Sequence, residues 1–141
     1  MIKAAAAGYS GTPLAKKLGL VPPMTLAAIN APKEYRAWLG ALPNGVDIVA
    51  QAGKSPRAVH LFTAKRAMLT RHLTSLRKRL EPAGFIWVSW PKKASKVQTD
   101  ITEDTIREIA LPLGFVDIKV CAVSEVWSGL KLVIRKSERT G

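Results

Sequence analysis

The chain has 141 residues, 48% of them hydrophobic, and 22 Lys and Arg against ten Asp and Glu give it a net charge of +12. That length fits one domain with its own core and excludes two, while the lone cysteine, Cys121, excludes an internal disulfide and a cysteine-built metal site. No stretch approaches the roughly 20 apolar residues of a membrane span, and the start, Met1-Ile2-Lys3 followed by four alanines, lacks the apolar region of a secretion signal, so a cytoplasmic protein with no membrane partner is expected.

Residues 1–23 are expected to form an N-terminal arm with one short helix, begun by the cap Thr12 and Pro13 and stopped by Gly19. A single α/β domain is expected over residues 24–136, ahead of a frayed polar tail at 137–141. Pro22-Pro23 leads into an apolar run, Met24 to Asn30, that predicts the first strand. Tyr35, Trp38, Leu39 and Leu42 lie at helical spacing within Lys33 to Leu42, and after the turn Pro43-Asn44-Gly45 the second strand is expected over Val46 to Gln51. The longest helix is predicted from Pro56 to Leu80, capped by Ser55, because Phe62, Leu69, Leu73, Leu76 and Leu80 fall on one stripe. A third strand, Phe85 to Trp90, follows Gly84. A helix over Thr102 to Leu113 has Glu103 and Asp104 at its positive end, and strands over Val116 to Ser124 and Leu130 to Arg135 close the chain.

Strands alternating with helices predict an α/β fold with a mostly parallel five-stranded sheet flanked by helices. The link from Ser124 to Leu130 is too short for a crossover, so the last strand is expected to run antiparallel.

Two resemblances bear on this chain. Ser10-Gly11-Thr12-Pro13-Leu14-Ala15-Lys16-Lys17-Leu18-Gly19, Trp87-Val88-Ser89-Trp90-Pro91-Lys92-Lys93-Ala94-Ser95, Thr99-Asp100-Ile101-Thr102, and Lys119 to Val123 with Trp127 to Lys131 resemble a bacterial family of small proteins catalogued as domain of unknown function 3052, over nearly the whole length. That resemblance implies a single conserved domain and carries no functional residues. The succession Asp47-Ile48-Val49, long helix, Leu80 to Val88, helix, Gly114-Phe115 and closing hairpin resembles the second half of an S-adenosylmethionine-dependent methyltransferase sheet, a Rossmann-like half-sheet. It implies the strand order 1-2-3-5-4. It also implies a glycine-rich turn after the first strand and an acid ending the second, and Asn30-Ala31-Pro32 stands where the glycines would be, so no cofactor is expected.

Ligands of open α/β sheets sit outside the carboxyl ends of the parallel strands. The residues expected at that rim as an anion-accepting site are Asn30, Lys54, Ser55, Trp90, Lys92, Lys93, Ser95, Trp127 and Ser128. The expected long helix would aim its N-terminal N–H groups there from Ser55, the lysines would add charge, and Trp90 would offer a stacking surface. Gly53-Lys54-Ser55 is not a P-loop, since Ile48 stands where its first glycine is required.

Charge is concentrated. Residues 51–96 hold eleven Lys or Arg against Glu81 alone, so Lys65, Arg71, Arg77, Lys78 and Arg79 are candidates for lying along nucleic-acid phosphates without base readout. No catalytic residue or metal ligand is assigned. His60 and His72 are twelve apart on the expected helix, off the i, i+4 spacing of a metal pair, and are expected on the surface; Cys121 is expected as a small core residue. Asp100, Glu103, Asp104 and Glu108 are explained by a helix start. The expectation is therefore a small non-enzymatic binding or regulatory module with an anionic partner, with an enzyme for a phosphorylated or carboxylated metabolite and a nucleic-acid-associated protein as alternatives.

Overall fold

The structure, a computed structural model, describes residues 12–139. It is α/β, with one mostly parallel sheet between two layers of helix. In chain order the elements are α1 (Leu14–Leu18), β1 (Met24–Ile29), α2 (Tyr35–Leu39), β2 (Val46–Val49), β3 (Ala58–Phe62), α3 (Arg66–Arg79), β4 (Phe85–Pro91), α4 (Glu103–Leu113), β5 (Phe115–Ala122) and β6 (Trp127–Ile134). Short 3-10 turns follow at Lys93–Ser95 and Lys136–Glu138. The sequence resembling the N-terminal arm before Thr12, and residues 140–141 of the expected tail, lie outside the described residues.

The sheet has six strands in the order β2-β1-β3-β4-β6-β5, not five in the order 1-2-3-5-4. The closing part agrees: β6 lies antiparallel between β4 and β5. The opening part differs because the expected long helix is two elements. Ala58–Phe62 is a strand buried at every residue, parallel to β1 on one side and β4 on the other, which moves β1 inside the sheet and leaves β2 on the edge. A strand covered on both faces reads as a continuous apolar run and lacks the alternation of a half-exposed one.

Helix α3 starts only after a break at Thr63, whose Oγ1 accepts from Lys65 N (3.2 Å). Lys65 is extended at φ −122, and the first free helical N–H, that of Arg66, donates to Asp100 Oδ1 (2.6 Å). Asp100 thus caps α3, not the helix that follows it in sequence. That helix, α4, has its own reciprocal cap, Thr105 N to Thr102 Oγ1 (3.2 Å) and Thr102 N to Thr105 Oγ1 (3.1 Å). Arg107 is held charged by hydrogen bonds to Glu103 and Asp117, the latter at 3.0 Å, which joins α4 to β5.

Two cores result. On one face Leu69, Leu73 and Leu76 of α3 and Ile106 and Ala110 of α4 pack on Val59, Leu61, Ile86, Val88 and Leu132. On the other, Leu14 and Leu18 of α1 and Tyr35 and Leu39 of α2 pack on Leu26, Phe62, Phe85 and Trp87. Helix α1 is docked by Trp87 Nε1 donating to Leu18 O (3.0 Å) and Lys17 Nζ to Ala122 O (3.3 Å). At the other end of the chain, Glu138 accepts from Arg77 (3.1 Å) and Arg135 (2.8 Å).

Gly84 and Gly114 open β4 and β5 for different reasons. A Cβ on Gly84 would stand 2.7 Å from Arg57 O, so the residue permits a close approach of backbone to backbone. Gly114 ends α4 at φ +101, which a side chain disfavours. Among the described residues no helix is long and apolar enough to cross a membrane.

Leu73 is wholly buried and Ile118 on β5 is 56% exposed. Leu73→Ala is therefore expected to lower unfolding free energy by about 2–5 kcal/mol in urea titrations, and Ile118→Ala to change it by no more than about 0.5 kcal/mol.

Candidate functional site

Strand β1 ends at Ile29, and Asn30 turns the chain in a left-handed conformation at φ +59, which Asn tolerates better than most side chains. The turn Asn30-Ala31-Pro32, the following Lys33, and Tyr35 and Arg36 of α2 form one wall of a cavity of about 480 Å³; Ile48 to Gln51 at the end of β2 form the other. It opens at the carboxyl ends of the parallel strands β1 and β2, where such sheets receive ligands. Its charged lining residues are Lys33 and Arg36, and none is acidic. Arg36 Nη2 lies 3.5 Å from Ile48 O, bridging the two walls. Asn30 and Gln51 add neutral amides.

Behind the Tyr35 wall runs a chain of buried side chains that the sequence did not reveal. Tyr35 OH is hydrogen-bonded to His60 Nδ1 (2.7 Å), and His60 Nε2 to Ser89 Oγ (2.7 Å). His60 and Ser89 are wholly buried, correcting the surface position expected for His60. Burial drives the imidazole pKa down to about 3, so the ring is neutral, with one nitrogen donating and the other accepting. Burial likewise pushes the Tyr35 hydroxyl pKa up. His60 stacks on Phe62 (4.2 Å between centroids), and Tyr35 meets both rings edge-on at 5.2 and 5.3 Å. The available signal was the unbroken apolar run around His60; a polar ring set in such a run needs partners on neighbouring elements.

Of the residues expected at the rim, Asn30 lines the cavity and the others do not. Trp90 and Trp127 do share one end of the sheet, where Pro91 pairs with Trp127 and Trp90 with Ser128. They pack on opposite faces: Trp90 in the core under α3 and α4, and Trp127 edge-on to Phe62 at 5.1 Å on the other side. Lys92, Lys93 and Ser95 follow β4 at the same end. Ser95 Oγ donates to Lys92 O (2.6 Å) and accepts from Val97 N (3.3 Å), holding a turn, while burial lowers the Lys92 pKa.

Lys54 and Ser55 are corrected more fundamentally. They precede β3 and lie at the amino end of that strand, in a hollow of about 320 Å³ with Gly53, Arg57 and Glu81 that adjoins the cavity at Val49 and Gln51. Ser55 caps no helix, because the residues after it form a strand. Of the basic residues on the long helix, Arg77 donates to Leu113 O (2.8 Å) and Glu138, and Arg79 to Gly53 O (2.5 Å) and Ser75 Oγ (3.3 Å), so both hold chain ends and loops together. Lys65 precedes α3, whereas Arg71 and Lys78 lie on it. Cys121 is partly buried on β5, and burial raises its thiol pKa. No group of three or more His, Cys, Asp or Glu among the described residues could hold a metal.

No family model and no curated protein matches the sequence. Solved structures do share its fold. A SAM-dependent methyltransferase from Aquifex aeolicus is similar over 86% of this chain and 87% of its own, with TM-score 0.58 at 11% identity. A magnesium protoporphyrin IX methyltransferase from Synechocystis is similar over 87% and 74%, with TM-score 0.55 at 13% identity. The ribosomal protein L11 methylase of Lactobacillus delbrueckii subsp. bulgaricus is similar over 86% and 77%, with TM-score 0.53 at 14% identity. The sheet is thus the Rossmann-like sheet of methyltransferases. The expectation of a non-enzymatic binding or regulatory module is corrected by these neighbours, which are methyltransferases, and the nucleic-acid alternative gains no support from them.

The buried neutral His60 has a measurable signature. Its folded pKa of about 3 lies below the ordinary value of 6.5, so between those pH values the unfolded chain binds the extra proton and stability falls with acidification. A loss of up to about 1.4 kcal/mol per pH unit below 6.5 is expected from this residue, reduced in His60→Asn when urea stability is compared from pH 7 to pH 4. Proton NMR titration is expected to leave the His60 ring unchanged over that range.

Proposed function

We propose that the protein is a small enzyme on the methyltransferase sheet that takes a carboxylated or phosphorylated metabolite in the cavity between the β1–α2 turn and the end of β2. The observation that carries this is the lining of that cavity: Lys33 and Arg36 supply positive charge, the neighbouring Glu34 does not line it, and Asn30 and Gln51 supply neutral hydrogen-bonding groups at a carboxyl edge. Its volume of about 480 Å³ lies within the few hundred to about 1,000 Å³ typical of small-molecule sites. The company of enzymes among its structural neighbours supports catalysis.

S-adenosylmethionine, the donor of several neighbours, fits these residues poorly. Its ammonium and carboxylate cancel, so it brings a net positive charge, that of the sulfonium, to a cavity whose charged lining is already positive. No lining carboxylate is available to accept from a ribose diol, and Pro32 removes one backbone N–H from the turn that follows β1.

Calorimetric titration with adenosine monophosphate, inorganic phosphate and S-adenosylhomocysteine tests this assignment. Phosphate-bearing probes are expected to bind and to raise the melting temperature, as a ligand at 100 times its Kd adds about 2.7 kcal/mol of stability. Lys33→Glu and Arg36→Glu are expected to remove the binding, and Lys119→Glu, on β5 at the opposite edge of the sheet, to leave it intact. Tighter binding of S-adenosylhomocysteine than of the anions, undiminished by charge reversal at Lys33 and Arg36, would replace the anionic metabolite with the adenosyl cofactor.

A further inference from the structure

We infer that His60 is a positioning residue for the cavity, acting through Tyr35 to hold the segment that carries Lys33 and Arg36. The inference rests on the function proposed above for that cavity. Helix α2 has five residues, far too few to be stable alone, and its N-cap, Glu34, makes no side-chain capping bond. Its place must come from contacts with the sheet. Its two buried residues are Tyr35 and Leu39; Leu39 supplies only apolar contact, whereas Tyr35 borders the cavity and is also fixed in direction by its hydroxyl.

That hydroxyl reaches His60 on β3, and His60 reaches Ser89 on β4, so the cavity wall is tied to two central strands by bonds of 2.7 Å each. The aromatic contacts of Tyr35 with His60 and Phe62 leave its ring no second resting place without opening the core. Lys33 and Arg36 flank Tyr35 in sequence and line the same cavity, so their backbone positions follow from the anchored ring. Supporting shells of this kind govern binding through the groups they orient and touch no ligand themselves.

The two sides of the ring can be separated by substitution. Asn carries its amide near the position of Nδ1, which faces Tyr35, whereas Gln reaches the position of Nε2, which faces Ser89. His60→Asn, His60→Gln and Tyr35→Phe are compared for hydrogen exchange of residues 32–39, for melting temperature, and for the affinity of adenosine monophosphate. His60→Gln and Tyr35→Phe are expected to speed exchange in that segment and weaken the nucleotide roughly tenfold, while His60→Asn keeps both near wild type at a melting temperature no higher than that of His60→Gln. Should His60→Gln not fold, Tyr35→Phe, which removes only the hydroxyl, carries the comparison with wild type.

Unchanged exchange over residues 32–39 in both His60→Gln and Tyr35→Phe would overturn the inference, as would losses that simply follow melting temperature across the set. A wild-type protein that binds no phosphate probe, with the exchange pattern as expected, would refute the anionic ligand while upholding the link from His60 to the wall.

Discussion

Strand β4 is buried along all seven of its residues, with β3 parallel on one side and β6 antiparallel on the other. Because strand side chains alternate, Ile86, Val88 and Trp90 enter the core under α3 and α4, and Phe85 and Trp87 the core under α1 and α2. One register therefore serves both cores, and a slip of one residue would exchange their contents. Ser89 is the polar exception in this strand. Buried without a partner, its hydroxyl would cost about 1–3 kcal/mol; His60 supplies the partner and passes the constraint to Tyr35. The neutral imidazole is thus a consequence of the strand's burial, and the position of the cavity wall is a consequence of the imidazole.

The cavity depends equally on the shortness of α2. A five-residue helix between β1 and β2 covers part of the rim, and the left-handed turn at Asn30 leaves the remainder open. Its two cations, Lys33 and Arg36, are exposed on that wall, with Arg36 reaching across to Ile48 O. The tryptophans further along the rim, Trp90 and Trp127, pack on opposite faces of the sheet, one against each core.

The closing hairpin and the glycine stop of α1 were legible because each leaves a local mark, and the place of β6 between β4 and β5 was legible from the methyltransferase resemblance. Gly19 after α1 and the short link after Ser124 act within a few residues of chain. Strand β3 was not legible, because Ala58 to Phe62 has no alternation and abuts a true helical stripe at Leu69, Leu73 and Leu76, with Pro56 placed like the first residue of a helix. With β3 hidden, local pattern places Ser55 at the wrong end of the sheet, β1 at the edge and His60 on a solvent face. The partners that explain His60 lie 25 and 29 residues away, on elements whose adjacency only the sheet order defines. Lys33 and Arg36 carry no motif at all. They matter because β2 returns beside β1, a long-range fact absent from local pattern.

The outer strand β5 loses its regular pairing with β6 between Asp117 and Lys119, leaving Ile118 as an extra residue in the ladder, and Ile118 and Val120 exposed. An edge strand with two bare β-branched residues is ordinarily an invitation to another chain, since its outward N–H and C=O groups form a template. The irregularity bends the strand and breaks the repeat of that template, and Lys119 places a charge at its middle. Net charge of +12 adds mutual repulsion between copies. The displaced residue at Ile118 thus acts against filament growth from this edge, a protection that straightening the ladder by deleting it would remove.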